Sequence, residues 1–129
     1  MLAVNLDLRN KIVLLVGGGS VGSRKLPKII QAGAFVRVVE PSPNDYLKEL
    51  AESKRISLNA QFSPELLDGV SLAFIATSDS GLNRRAAQAA RARGIWVNAA
   101  DDPQECDFFL PAIIERGPFR LAVSTGGGG

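Results

Sequence analysis

Three glycines set the first chemical possibility. In KIVLLVGGGSVGSRK (residues 11–25), Gly17, Gly19 and Gly22 stand in the spacing G-x-G-x-x-G. Each answers a different physical demand: a tight turn, close approach of backbone N–H groups to a pyrophosphate, and close packing of a helix on a strand. The spacing alone is weak. Here it lies between an apolar, β-branched run and the start of a helical pattern, which is the context a dinucleotide site needs. The alternative is an ordinary βα turn without a ligand. The fingerprint also asks for an acid about 20 residues on, to hold ribose hydroxyls. Glu40 follows Gly22 by 18 residues, directly after FVRVV. A carboxylate there repels a 2′-phosphate, and Pro41, Ser42, Pro43 and Asn44 bring no arginine to neutralise one. The expected cofactor is therefore NAD rather than NADP.

A second concentration of reactive groups follows IWVN (residues 95–98): Asp101, Asp102, Glu105 and Asp107. A nicotinamide reaching that loop would have a carboxylate beside it to take a proton while hydride leaves to NAD. The plain alternative is a set of solvated loop acids, with Asp102 held extended before Pro103. The chain has no histidine and one cysteine. Ser-His-Asp and Cys-His nucleophiles, histidine-ligated metals and an internal disulfide are thereby excluded. Cys106 has no lysine or histidine beside it in sequence and reads as a small buried hydrophobe. Arg24, Lys25 and Lys28, like Arg84, Arg85, Arg91 and Arg93, read as solvated helix faces.

The elements that must position these groups follow from the hydrophobic pattern. Residues 11–16 suit a strand buried on both faces of a parallel sheet. A helix is expected over 20–32, with Val21, Leu26, Ile29 and Ile30 inward, Pro27 near its start and Gly33 closing it. Strands are expected at 35–39, 56–60, 70–76 and 95–98, and helices at 45–53 and from about 81 to 93. Ser63-Pro64 opens a single turn. This alternation gives a Rossmann-type, doubly wound α/β fold with a parallel sheet. Ligands then sit beyond the carboxyl ends of the strands, at loops 17–22, 77–81 and 98–107. Residues 108–111, 112–116 and 119–123 read as strands, the last two forming a C-terminal β-hairpin added to the sheet. The alternation of Leu2, Val4, Leu6 and Leu8 fits a short edge strand or a packed N-terminal arm.

The 129 residues form one domain, long enough for a full core, with 46% hydrophobic and 22% charged residues. A net charge of +2 does not suggest nucleic acid. No apolar run has membrane-spanning length, and the start of the chain lacks a signal-peptide pattern. A cytoplasmic location is expected by default.

VGGGSVGSRK, IATSD, GIWVNAADDPQECDFFLPAII and LAVSTGG together resemble the N-terminal domain of siroheme synthases and the related precorrin-2 dehydrogenase/sirohydrochlorin ferrochelatases. The most specific part is VNAADDPQECDFFLP (residues 97–111), which a generic Rossmann domain has no need of. The resemblance implies NAD-dependent oxidation of precorrin-2 to sirohydrochlorin on the way to siroheme. Many members also insert Fe²⁺. It implies that the catalytic acid is Asp101, the first acid after the V-N-x-x segment, acting as general base. It places cofactor contacts on Ser20 and Val21 in the glycine loop and on Pro41 and Ser42, with Thr77 beside the nicotinamide. Full-length members are homodimers that continue into a helical dimerisation region enclosing the tetrapyrrole, a region expected to be absent from residues 1–129. A different functional class, an NAD-sensing regulatory domain of a channel or transporter, shares the glycine fingerprint but does not call for residues 98–111 or the hairpin.

Overall fold

The computed structural model describes residues 1–100 and 102–124, without the side chains of Ser20 and Val21. Five strands, β1 (Ile12–Val16), β2 (Phe35–Val39), β3 (Ile56–Asn59), β4 (Val70–Ile75) and β5 (Trp96–Ala99), form a parallel sheet in the order β3-β2-β1-β4-β5. Three helices connect them: α1 (Ser20–Gln31), α2 (Asp45–Glu52) and α3 (Ser80–Ala92). The order reverses at β1, which pairs with β2 on one side and β4 on the other. The carboxyl ends of those two neighbours therefore diverge around the glycine loop, the place where open α/β sheets bind ligands.

Strand β1 shows why its continuous apolar run was needed. Val13 and Leu15 enter the core under α1 and α2, with Leu26, Ile29, Leu47 and Phe74. Leu14 and Val16 enter the opposite core under α3, with Ala86, Ala87 and Ala90. Side chains alternate across a strand, so a strand covered on both faces has no position left for a polar residue. The alanines of α3 let that helix lie close to the sheet.

Helix α1 runs as expected and carries Pro27 inside it. Gly33, at φ +93°, follows the α1 C-cap in the left-handed conformation that favours glycine. At the single turn Pro64–Leu67, Ser63 holds the N-cap position without a side-chain cap bond.

Three expectations change. Residues 1–7 are exposed and form no strand, and only Leu8 of the alternating set packs against the core. Residues 108–111 are not a strand either. The Phe108 carbonyl is taken by the Asn98 side chain and its ring by Phe74, so no ladder forms there. The C-terminal hairpin does form, from β6 (Ala112–Arg116) and β7 (Phe119–Val123), but as a separate antiparallel two-stranded sheet with every residue exposed. Among the described residues no helix is long and apolar enough to cross a membrane.

Candidate functional site

At Gly17 and Gly22 the loop after β1 is shaped by backbone contacts that leave no room for a side chain. Gly17 has φ +104°, and a Cβ there would lie 2.5 Å from the Ala76 carbonyl oxygen at the end of β4. A Cβ on Gly22 would overlap the Gly17 carbonyl oxygen. Gly19 faces open space, and it is the N-cap of α1 with no side-chain cap bond. The first turn of α1 also carries no acidic residue. Its orphan amides and the positive end of its dipole are therefore left for an anion. A diphosphate fits this cradle.

Glu40, just past β2, folds back onto the loop. Its Oε2 accepts from the Gly18 amide at 2.7 Å and its Oε1 from the Ser42 amide at 3.2 Å. Each carboxylate oxygen keeps a further lone pair for a hydroxyl donor. Glu40, Pro41, Gly19, Thr77 and Ala100 line one cavity of about 800 Å³ at the carboxyl edge of the sheet. Gly17 and Gly22 shape the loop from beneath, and Ser42 supports Glu40. Thr77 is held by the start of α3, which it precedes: its hydroxyl donates to Asn83 Oδ1 and accepts from the Asp79 amide, while Asn83 Nδ2 donates to the Thr77 carbonyl at 2.9 Å. Asp79 caps α3 by accepting from the Leu82 amide at 3.0 Å.

The third loop, after β5, is fastened at several points. The Asp107 carboxylate accepts from the Val97 amide at 2.9 Å, and the Asp107 amide donates to the Val97 carbonyl at 2.7 Å. Arg91 of α3 binds the Glu105 carboxylate and carbonyl and lies 3.7 Å from the Asp107 carboxylate. Its guanidinium is held above its ordinary pKa, chiefly by the Glu105 hydrogen bond and further by the Asp107 charge, with burial opposing. Cys106 is half-buried against the core, and its S–H donates to the Ala99 carbonyl at 3.2 Å. Glu105 and Asp107 thus hold the loop in shape. Asp101, and the side chains of Ser20 and Val21, lie outside the described residues. The chain does reach the cavity at Ala100, the residue before Asp101.

Two of the basic residues read as solvated in the sequence, Lys25 and Arg91, prove to be partly buried structural partners. Lys25, assigned to a solvated face, is half-buried and donates to Asn98 Oδ1 at 3.1 Å. Arg91 is likewise half-buried and pairs with Glu105, whereas Arg93 stays exposed, as read, while pairing with Asp68. The available signal was Asn98 itself, an amide inside the strand WVNA.

Comparison with known proteins agrees with this fold and with a dinucleotide cofactor. A family model described as "Putative NAD(P)-binding" matches residues 4–112. The siroheme synthase of Methylobacillus flagellatus is 42% identical over 127 residues, covering 98% of this chain and 27% of that protein. That of Chromobacterium violaceum is 45% identical over 123 residues, 95% of this chain and 26% of the relative. The chain therefore spans about a quarter of the length of these relatives. The solved structure of SirC, a precorrin-2 dehydrogenase, superposes with a TM-score of 0.87 at 29% identity, covering all of this chain and 64% of that one. A pyruvate reductase structure from Chlamydomonas reinhardtii, 19% identical with a TM-score of 0.56, shares the fold alone. With the glycine cradle, the Rossmann sheet and a family match over most of its length, the chain belongs to the NAD(P)-binding family to which its siroheme synthase relatives point.

Proposed function

We propose that this chain is the NAD-dependent dehydrogenase portion of a siroheme-forming enzyme, oxidising precorrin-2 to sirohydrochlorin. The observation that carries the reading is one cavity joining the glycine loop, Glu40, Thr77 and the approach to Asp101. Bound NAD supplies the hydride acceptor. The chain supplies the rest. Amides of the glycine loop and of Ser20 and Val21 hold the diphosphate, Glu40 accepts from the adenosine ribose hydroxyls, and Pro41 and Ser42 border that ribose. Thr77 borders the nicotinamide side, with its hydroxyl already oriented by Asn83. Asp101 takes the proton that leaves the macrocycle as hydride departs, so the substrate loses two electrons and two hydrogens. The same acid would receive pyrrole protons in a second activity, insertion of Fe²⁺. Glu40 favours NAD over NADP, because a 2′-phosphate would set a second negative charge beside a carboxylate already held by two amides, and residues 41–44 carry no arginine. A cytoplasmic, homodimeric enzyme is the setting this reading implies.

The test is turnover. The protein supplied with precorrin-2 and NAD should develop the absorbance of sirohydrochlorin, and Asp101→Ala should lower kcat by about 10²- to 10⁴-fold. Turnover unchanged in Asp101→Ala removes that acid from the mechanism. NADH binding with no turnover favours the regulatory, NAD-sensing class instead.

A further inference from the structure

Asn98 is the one buried polar side chain among the described residues, 7% exposed in a strand otherwise filled by apolar groups. Its carbonyl oxygen accepts from Lys25 Nζ at 3.1 Å, and its amide donates to the Phe108 carbonyl at 3.0 Å. The Lys25 ammonium also lies 5.5 Å from the centre of the Phe74 ring, which meets the Phe108 ring edge-on at 5.3 Å. One amide therefore joins helix α1 to the far end of loop 99–107. A buried amide deprived of either partner is costly, so this junction is held from both sides or strained from both.

Lys25 lies five residues into α1, about one and a half turns beyond the start of the helix. That start is the turn whose amides have no cap of their own. An anion accepting from those amides steadies the first turn, and with it the backbone from which Lys25 reaches across. We infer that Lys25 and Asn98 are positioning residues that couple occupation of the glycine loop to the closure of the segment 102–108 after β5. The inference rests on the dinucleotide reading above and on the acid being Asp101, directly before that segment. The contacts of Arg91 and Asp107 hold the loop whether or not the cradle is filled. The Lys25–Asn98 hydrogen bond, by contrast, begins on the helix that would receive the diphosphate.

Cys106, the chain's single cysteine, lies in the loop and makes its opening measurable. The experiment follows alkylation of Cys106 by iodoacetamide with and without saturating ADP-ribose. This probe fills the diphosphate cradle but has no nicotinamide to cover the loop directly. In the unsubstituted protein ADP-ribose should slow alkylation by about fivefold or more. Lys25→Met should bind ADP-ribose within about threefold of the original affinity and lose the slowing, a loss of coupling of the size expected for a charge-assisted hydrogen bond. Lys25→Arg, which can donate to the same oxygen, should regain it. Asn98→Asp keeps the acceptor for Lys25 but not the donor to Phe108, so it should also lose the slowing if Lys25→Met fails to fold. Slowing retained in a folded Lys25→Met or Asn98→Asp protein overturns the coupling. So does ADP-ribose binding without slowing in the unsubstituted protein. Absence of ADP-ribose binding there overturns the dinucleotide reading and the coupling with it.

Discussion

Helices α1 and α3 both begin at the carboxyl edge of the sheet, yet they finish their first turns in opposite ways. Helix α3 closes its own start: Asp79 accepts from the Leu82 amide, and Asn83 reaches back to Thr77. Helix α1 leaves its start open, with Gly19 at the N-cap, no side-chain cap and no acid in the first turn. The same end of the same kind of element is thus spent on stability in one case and kept for a ligand in the other. A glycine N-cap such as Gly19 costs only about a few tenths of a kcal/mol relative to a side-chain cap, so the open start is kept cheaply. On the proposed reading, the difference separates the loop that would receive an anion from the one that only shapes the cavity wall.

The comparison can be broken most severely at Gly17. Gly17→Ala puts a side chain at φ +104° and against the Ala76 carbonyl. We expect a loss of roughly 2–4 kcal/mol in urea unfolding and no measurable NADH binding in a fluorescence titration. Near-normal binding would mean that the cradle tolerates a reshaped turn.

The sharpest single test gives α1 the cap that α3 already has. Gly19 has extended backbone angles and open space around its Cβ, so Gly19→Asp meets no steric objection. The new carboxylate should raise stability by a few tenths to about 1 kcal/mol while weakening NADH by at least about tenfold, because it occupies the amides and repels the diphosphate. Stability and affinity moving together would show that α1 does not receive the anion. Glu40→Ala should weaken NAD by about tenfold and narrow its advantage over NADP. Equal losses for both cofactors would show that the Glu40 carboxylate serves the Gly18 amide alone. The smallest effect is expected at Asp79→Ala: about 1 kcal/mol less stability in thermal unfolding, with a smaller change in NADH affinity. An affinity loss larger than the stability loss would make α3 part of the anion site after all.

The open start of α1 was legible in the residues because everything it needs is local. A β-branched run, three glycines at fixed spacing and a helical pattern lie within 15 consecutive residues. Glu40 was legible for a similar reason, since one helix and one strand set its distance from the loop. The closed start of α3 was less so. Asp79 and Asn83 are ordinary cap and helix residues until the carbonyl of Thr77 is seen between them. The hairpin was legible as a hairpin, since its turn and strand residues are adjacent. Its separation from the sheet was not, because joining a sheet depends on an edge presented from elsewhere in the chain. The N-terminal alternation misled for the same reason. Period two describes a strand only if a partner strand accepts it.

The amino-acid order by itself determined the five strands of the parallel sheet and the helices between them, the glycine loop, the acid that follows β2 and the resemblance that named the acid after β5. These are short-range matters of propensity, periodicity and backbone freedom, which neighbouring residues decide among themselves. Only the tertiary structure decided that Lys25 meets Asn98 across 73 positions, that Glu40 turns its carboxylate onto the Gly18 amide, and that Arg91 gathers Glu105 and Asp107. A buried polar group must find a partner wherever the packed chain brings one. That partner is set by how the layers stack, and no local pattern encodes it.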